Sequence, residues 1–157
     1  MFVLIRAITY SALFMGLVLV FLPAQLLSTQ VARPERIGAA QLVGMAAAVG
    51  GGAIALWCIL SFAVIGRGTP APFDPPRRLV VRGPYAVVRN PMYMGAGLAL
   101  GGAAVFYESL PLLGYTAAFF LVTHLFVVLY EEPTLRRTFG TDYESYCRQV
   151  RRWWPRP

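Results

Sequence analysis

The sequence predicts an all-α fold: a multi-pass membrane helical bundle of about four transmembrane helices, with a cytosolic loop and a C-terminal amphipathic helix. Three observations predict it. Of the 157 residues, 57% are hydrophobic and only 13% charged, about half the usual 25% of a soluble domain. Charge is missing from whole stretches: residues 7–27, 39–65, 92–107 and 109–130 contain no Asp, Glu, Lys or Arg, and about 20 such residues are what a helix needs to cross hydrocarbon. The 14 basic residues, all of them arginine, flank these stretches rather than enter them. This composition excludes a secreted disulfide scaffold, a nucleic-acid-binding domain and an ordinary cytosolic enzyme. The whole of 1–157 reads as a single membrane domain.

The first span, 7–27, follows Arg6 and has the look of a signal peptide. Its length and the lack of a small-x-small exit favour a retained helix. The second, 39–65, is long enough to tilt or project beyond the bilayer, and carries Gly44 and the run Gly50-Gly51-Gly52. The third, 92–107, has a Gly97/Gly101 pair at the GxxxG spacing that lets a neighbouring backbone approach. A turn around Phe106–Pro111 joins it to the fourth span as an antiparallel hairpin, so the ends at 91 and 131 lie together. In the tail, 131–157, Leu135, Phe139, Tyr143, Tyr146 and Val150 recur at steps of three or four, the stripe of an amphipathic helix. Trp153 and Trp154 close it beside arginines, a composition suited to a membrane interface.

The net charge of +7 is concentrated in the 67–91 loop and the tail. Positive-inside counting puts both in the cytoplasm with the N-terminus, and the 28–38 and 106–110 connections outside. Cys58 and Cys147 have no metal-type spacing, and no disulfide is expected.

Two segments carry chemistry. In GPYAVVRNPMYMG, residues 83–95, Asn90-Pro91 reads as an N-cap followed by a first-turn proline. The third span therefore starts with free backbone N–H groups at the cytoplasmic interface, a seat for a carboxylate or phosphate, with Arg89, Tyr85 and Tyr93 beside it. In YEEP, residues 130–133, two carboxylates sit where a helix leaves hydrocarbon, a costly place for an unpaired charge. Pro133 predicts a bend or end of the helix there. His124, the only histidine, reads as a packing residue and Glu108 as a solvated one. A ligand matching both segments carries a carboxylate, a positive group, hydroxyls and an aromatic base. S-adenosylmethionine fits that description, as do several nucleotides.

Taken together, RRLVVRGPYAVVRNPMYMG and YEEPTLRRTFGTDYESYCRQVRRWWP resemble the membrane methyltransferases that include isoprenylcysteine carboxyl methyltransferase and phosphatidylethanolamine N-methyltransferase. The likeness covers about residues 77–157. It implies S-adenosylmethionine bound at the cytoplasmic face by Arg77, Arg78, Leu79, Val80, Tyr85, Asn90, Pro91, Met92, Tyr93, Glu131 and Glu132. Gly50 and Gly52 supply the GxG of the phospholipid enzymes. It also implies a lipid-borne or amphipathic acceptor entering from the bilayer, either a phospholipid amine or a prenylcysteine-type carboxylate. Nucleic acid is not an expected partner.

Two departures bear on the acceptor. Asn90 stands where the carboxyl enzymes have histidine, and Val127 where they have the arginine that holds the substrate carboxylate. An ammonium acceptor must lose a proton before methylation, and Glu132 is the candidate catalytic base. The alternatives are a membrane reductase of the sterol-reductase type, suggested by YESYCRQV, and a non-enzymatic small membrane protein.

Overall fold

Helices with apolar side chains on every face belong in lipid or in the interior of a large protein, and Ala39–Ser61, Pro91–Phe106 and Leu110–Phe126 are of that kind. The structure, a computed structural model, describes residues 9, 13, 16–30, 36–66 and 78–156. Among these residues the chain forms five α-helices. The first, α1 (Leu22–Gln30), continues a π-helical turn, Gly16–Phe21. The second, α2 (Ala39–Ser61), runs into another at Phe62–Gly66. A 3-10 turn, Gly83–Ala86, leads to α3 (Pro91–Phe106). The last two, α4 (Leu110–Phe126) and α5 (Glu132–Gln149), are joined by the π turn Val127–Glu131. Two helical stretches, Ala39–Gly66 and Leu110–Gln149, are long and apolar enough to cross a membrane; Gly16–Leu27 and Pro91–Phe106 are shorter apolar helices. Leu42, Val43, Val49, Leu56 and Trp57 on α2 are exposed, as are Leu113, Leu121, Val122 and Leu125 on α4. A surface this apolar fits a membrane protein.

With lipid as solvent, helices associate through close packing and internal hydrogen bonds rather than by hiding apolar area. The antiparallel contact between α2 and α3 shows this in two layers. A Cβ on Gly44 would lie 2.6 Å from the Gly102 carbonyl oxygen, and one on Gly102 2.5 Å from that of Gly44. One turn pair away, Gly51 and Gly95 meet in the same way, with a Gly95 Cβ 2.8 Å from the Gly51 carbonyl oxygen. Backbone thus touches backbone at both layers. The expected GxxxG pair serves the other side of α3: Gly97 receives the ring of Phe120 from α4, while Gly101 lies nearer Thr116. Glycines on both sides let α3 sit between two helices.

Polar groups in these helices are satisfied locally. Thr116 and Thr123 donate to the carbonyls of Leu112 and Phe119, each at 2.8 Å, and the Tyr115 hydroxyl donates to the Val18 carbonyl at 2.9 Å, tying α4 to the first π turn. In the turn between α3 and α4, Ser109 accepts from the Leu112 N–H and caps α4. Glu108 adopts a positive φ of 49°. It is exposed, as expected from sequence, and it also accepts a hydrogen bond from Gln41 Nε2 at 2.7 Å, which fastens the hairpin to the start of α2.

Pro133 does not end the helix. The Glu132 N–H donates to the Val127 carbonyl five residues back, and the widened π turn takes the chain past the missing proline N–H without a break. The real interruption is Gly140 (φ 52°, ψ −125°), a conformation that glycine reaches cheaply. Beyond it Tyr143, Tyr146 and Val150 form a buried cluster with Leu79, Leu135, Phe139 and Cys147, so the amphipathic stripe expected in the tail packs onto the loop that precedes α3.

The α2–α3 contact yields a sharp prediction. Gly51→Ala and Gly102→Ala force the helices apart and should destabilise the protein by about 1–3 kcal/mol each, the usual penalty of overpacking. Gly50→Ala and Gly52→Ala, where a Cβ meets nothing within 4 Å, should be neutral or stabilising by up to about 1 kcal/mol through helix propensity. Thermal unfolding in detergent, followed by circular dichroism, checks the contrast.

Candidate active site

The π turn sets the two adjacent glutamates on different neighbours. Glu131 turns to the first turn of α3, where the Tyr93 hydroxyl donates to its Oε2 at 3.0 Å. Glu132 faces the other way, into the tail, and its side chain is 7% exposed. Arg152 grips it with two hydrogen bonds, Nε to Oε1 at 2.7 Å and Nη2 to Oε2 at 2.9 Å. Arg89 adds an ion pair to Oε1 at 3.3 Å. Burial alone would raise the Glu132 carboxyl, but the Arg152 hydrogen bonds and the Arg89 charge outweigh it and hold the group below the ordinary carboxylate range.

Arg89 and Asn90 form the bridge between α3 and the tail. The Arg89 guanidinium also donates to the Cys147 sulfur and, at 3.5 Å, to the Tyr143 hydroxyl. Its Nε is buried and has no hydrogen-bond partner among the described residues. A buried donor without an acceptor costs about 1–3 kcal/mol, so this atom marks a place where an acceptor is wanted. Asn90 occupies the N-cap position of α3, yet its side chain makes no capping bond. Nδ2 instead donates to the Arg152 carbonyl at 3.3 Å. The expected cap is therefore absent, and the first N–H groups of α3 gain no acceptor from it.

Tyr85 lies in the 3-10 turn and is buried with Val80 and Cys58, with Met92 packed on the same cluster. Its ring meets Phe62 edge-on, with centroids 5.3 Å apart. Its carbonyl accepts from the Tyr146 hydroxyl at 2.6 Å. Burial pushes the Tyr85 phenol well above its ordinary range, so it remains a neutral donor.

Of the residues expected at the site, Val80, Tyr85, Asn90, Pro91, Met92, Tyr93, Glu131 and Glu132 converge around the start of α3. Leu79 packs against the tail, and Arg78 is exposed. Arg77 lies outside the described residues. Gly50 and Gly52 make no close contact; the middle glycine of the run, Gly51, is the one packed on α3. Arg89, read from sequence as lying beside the helix start, is in the cluster, and the structure adds Tyr143, Tyr146 and Arg152. The tyrosines were legible as a helical stripe, but nothing in the run Arg151-Arg152 singles out the second arginine. Glu132, the expected base, has both oxygens taken by arginines, an arrangement that suits it to holding the tail. His124 is exposed at α4, where its Nδ1 accepts from Trp153 Nε1 at 3.2 Å.

A group whose carboxyl is depressed by folding contributes stability above the unfolded carboxylate pKa and loses it as pH falls through the folded value. The tail should therefore loosen on acidification below about pH 4, the ordinary range of a glutamate. Glu132→Gln should remove that step. It should also cost about 3 kcal/mol at neutral pH, because two arginines lose their counter-charge. Tryptophan fluorescence against pH, for the two proteins side by side, measures both effects.

The chain was compared with known proteins. A family model described as PEMT, phospholipid methyltransferase, matches residues 39–142. No curated protein and no solved structure matches the chain. The matched segment begins at the first residue of α2, contains the glycine contact, the start of α3 and the paired glutamates, and ends beyond Gly140. The chain thus belongs to the phospholipid methyltransferase family.

Proposed function

We propose that this protein is an S-adenosylmethionine-dependent, multi-pass membrane methyltransferase that methylates the amine of a phospholipid headgroup. In this reading it crosses the bilayer four times, at about 7–27, 39–65, 92–107 and 109–130, with both termini in the cytoplasm. The observation that carries the reading is the presence, around the start of α3, of an uncapped helix start, an arginine donor orphaned among the described residues, and a carboxylate whose hydrogen-bond partner among those residues is a phenol.

These residues fit the cofactor. Arg89 Nε and the first N–H groups of α3 suit its carboxylate, Glu131 suits its amine or hydroxyls, and Met92 with Tyr85 gives an apolar wall. When bound, S-adenosylmethionine supplies a methyl group whose bond to sulfur breaks as its bond to the acceptor nitrogen forms. The protein's own part is to position, to exclude water and to take a proton. An ammonium headgroup has no lone pair until it is deprotonated. Glu131 is the better acceptor for that proton: Tyr93 is its hydrogen-bond partner, whereas Glu132 is neutralised by Arg89 and Arg152. The buried Val127, with no charge to offer an anionic acceptor, favours an amine over a carboxylate. A headgroup amine also lies at the depth where Glu131 leaves the apolar part of the helix.

Membranes containing the protein, incubated with methyl-labelled S-adenosylmethionine, should yield labelled lipid that releases no volatile methanol in mild alkali. Methanol release would mean an ester, hence a carboxylate acceptor, and would overturn the amine assignment. Glu131→Gln should lower turnover on an amine lipid by about 100-fold or more, the usual worth of a positioned base. Full turnover in that variant would remove Glu131 from the chemistry.

A further inference from the structure

The segment after α5 doubles back across the start of α3. Val150 ends the helix in extended backbone (φ −121°, ψ 131°), and the next three residues are bonded to three parts of the fold. The Arg151 carbonyl accepts from the Arg89 N–H at 2.9 Å, and the Arg152 carbonyl accepts from Asn90 Nδ2. The Arg152 guanidinium holds Glu132 at the head of α5, and the Trp153 indole donates to His124 on α4. Among these bonds the Arg152–Glu132 pair is charge-assisted, doubly bonded and mostly buried on the glutamate side, the strongest class of contact available to the strap. The same carboxylate oxygen also receives Arg89, so one group sets the strap and the arginine together.

We infer that Arg152 is a positioning residue for the cofactor end of the site: through Glu132 it keeps the strap in place, and the strap keeps Arg89 and Asn90 in their ligand-binding arrangement. This rests on the reading of the site as an S-adenosylmethionine pocket and extends it to residues 150–153. The physical argument turns on Asn90. Asparagine at an N-cap ordinarily accepts from the N–H groups of the first turn. Here the Arg152 carbonyl draws the amide away, and those N–H groups stay available to a ligand. Without Arg152 the strap's main anchor is lost. Asn90 is then free to cap α3, Arg89 collapses onto Glu132 alone, and both changes remove donors from the cofactor carboxylate.

The test uses the full chain in lipid nanodiscs with two readouts. One is the affinity for S-adenosylhomocysteine by calorimetry. The other is the rate at which a maleimide alkylates Cys147, which is half-buried and accepts a hydrogen bond from Arg89, whereas Cys58 is fully buried. Arg152→Gln should weaken binding about tenfold or more, as expected when one partner of a buried charge pair is removed. It should also speed Cys147 labelling severalfold, with the affinity for the lipid acceptor unchanged. Arg152→Lys, which keeps the charge without the fork, should recover part of both effects. Wild-type affinity in Arg152→Gln, or unchanged protection of Cys147, overturns the inference while leaving the proposed function intact. Parallel loss of cofactor and acceptor affinity together with thermal stability overturns it too, because the residue would then be supporting the fold as a whole. If the wild-type chain itself binds no S-adenosylhomocysteine, the proposed function falls and the inference falls with it.

Discussion

The ion pair centred on Glu132 is the contact on which the junction between α3, the head of α5 and the tail depends. A carboxylate at the end of an apolar helix, with 7% of its side chain exposed, is tolerable only if its charge is met. Two arginines meet it, one from the approach to α3 and one from the far end of the chain. Three segments distant in sequence are thereby drawn to one point. The tail cluster of Tyr143, Tyr146 and Val150 then closes over the loop residue Leu79, and the Tyr146 hydroxyl reaches the Tyr85 carbonyl. Charge neutralisation supplies the direction of this assembly and apolar packing supplies its area.

Within the apolar region a different constraint governs. Lipid offers no hydrophobic reward for pairing helices, so contact must be close to be favourable. The glycine pairs Gly44–Gly102 and Gly51–Gly95 bring the backbones of α2 and α3 together over two layers. That closeness has a consequence at the start of α3. It carries Cys58 and Phe62 up against Tyr85, building one wall of the site from a helix that contributes no charged group to it.

The paired glutamates show how one extra residue in a helical turn divides labour. Adjacent residues in a helix point about 100° apart, and the π turn at Val127–Glu131 delivers that divergence where α3 and the tail lie on different sides. One carboxylate is spent on structure. Its neighbour has a phenol as its hydrogen-bond partner among the described residues and so retains the capacity to bind or take a proton. Two half-buried arginines and a neutral, buried Tyr85 complete an environment in which charge is placed on one flank and kept off the other.

The sequence by itself determined the helical class, the apolar stretches and two segments, around Asn90 and Glu131, that the fold brings together. These follow from composition and short-range spacing: charge-free runs, a Pro-led helix start, adjacent carboxylates and a stripe at steps of three or four. It also placed Tyr93 and Glu131 in one neighbourhood, because a short hairpin must bring its two ends together. Long-range pairings were decided only by the tertiary structure. In a run of three glycines, sequence cannot say which one faces a neighbour, and Gly51 rather than Gly50 or Gly52 does so. Among the tail arginines only Arg152 reaches Glu132. Pro133 predicted a bend or an end, and the π turn before it carries the helix past without an end. Asn90 looked like a cap, yet its amide went to the strap. The cap preference of Asn90, worth about 1 kcal/mol, gave way to a partner 62 residues away, whereas the helix proline's cost of about 3 kcal/mol was met locally by the widened turn before it. The one-dimensional pattern does not contain the distances that choose among them.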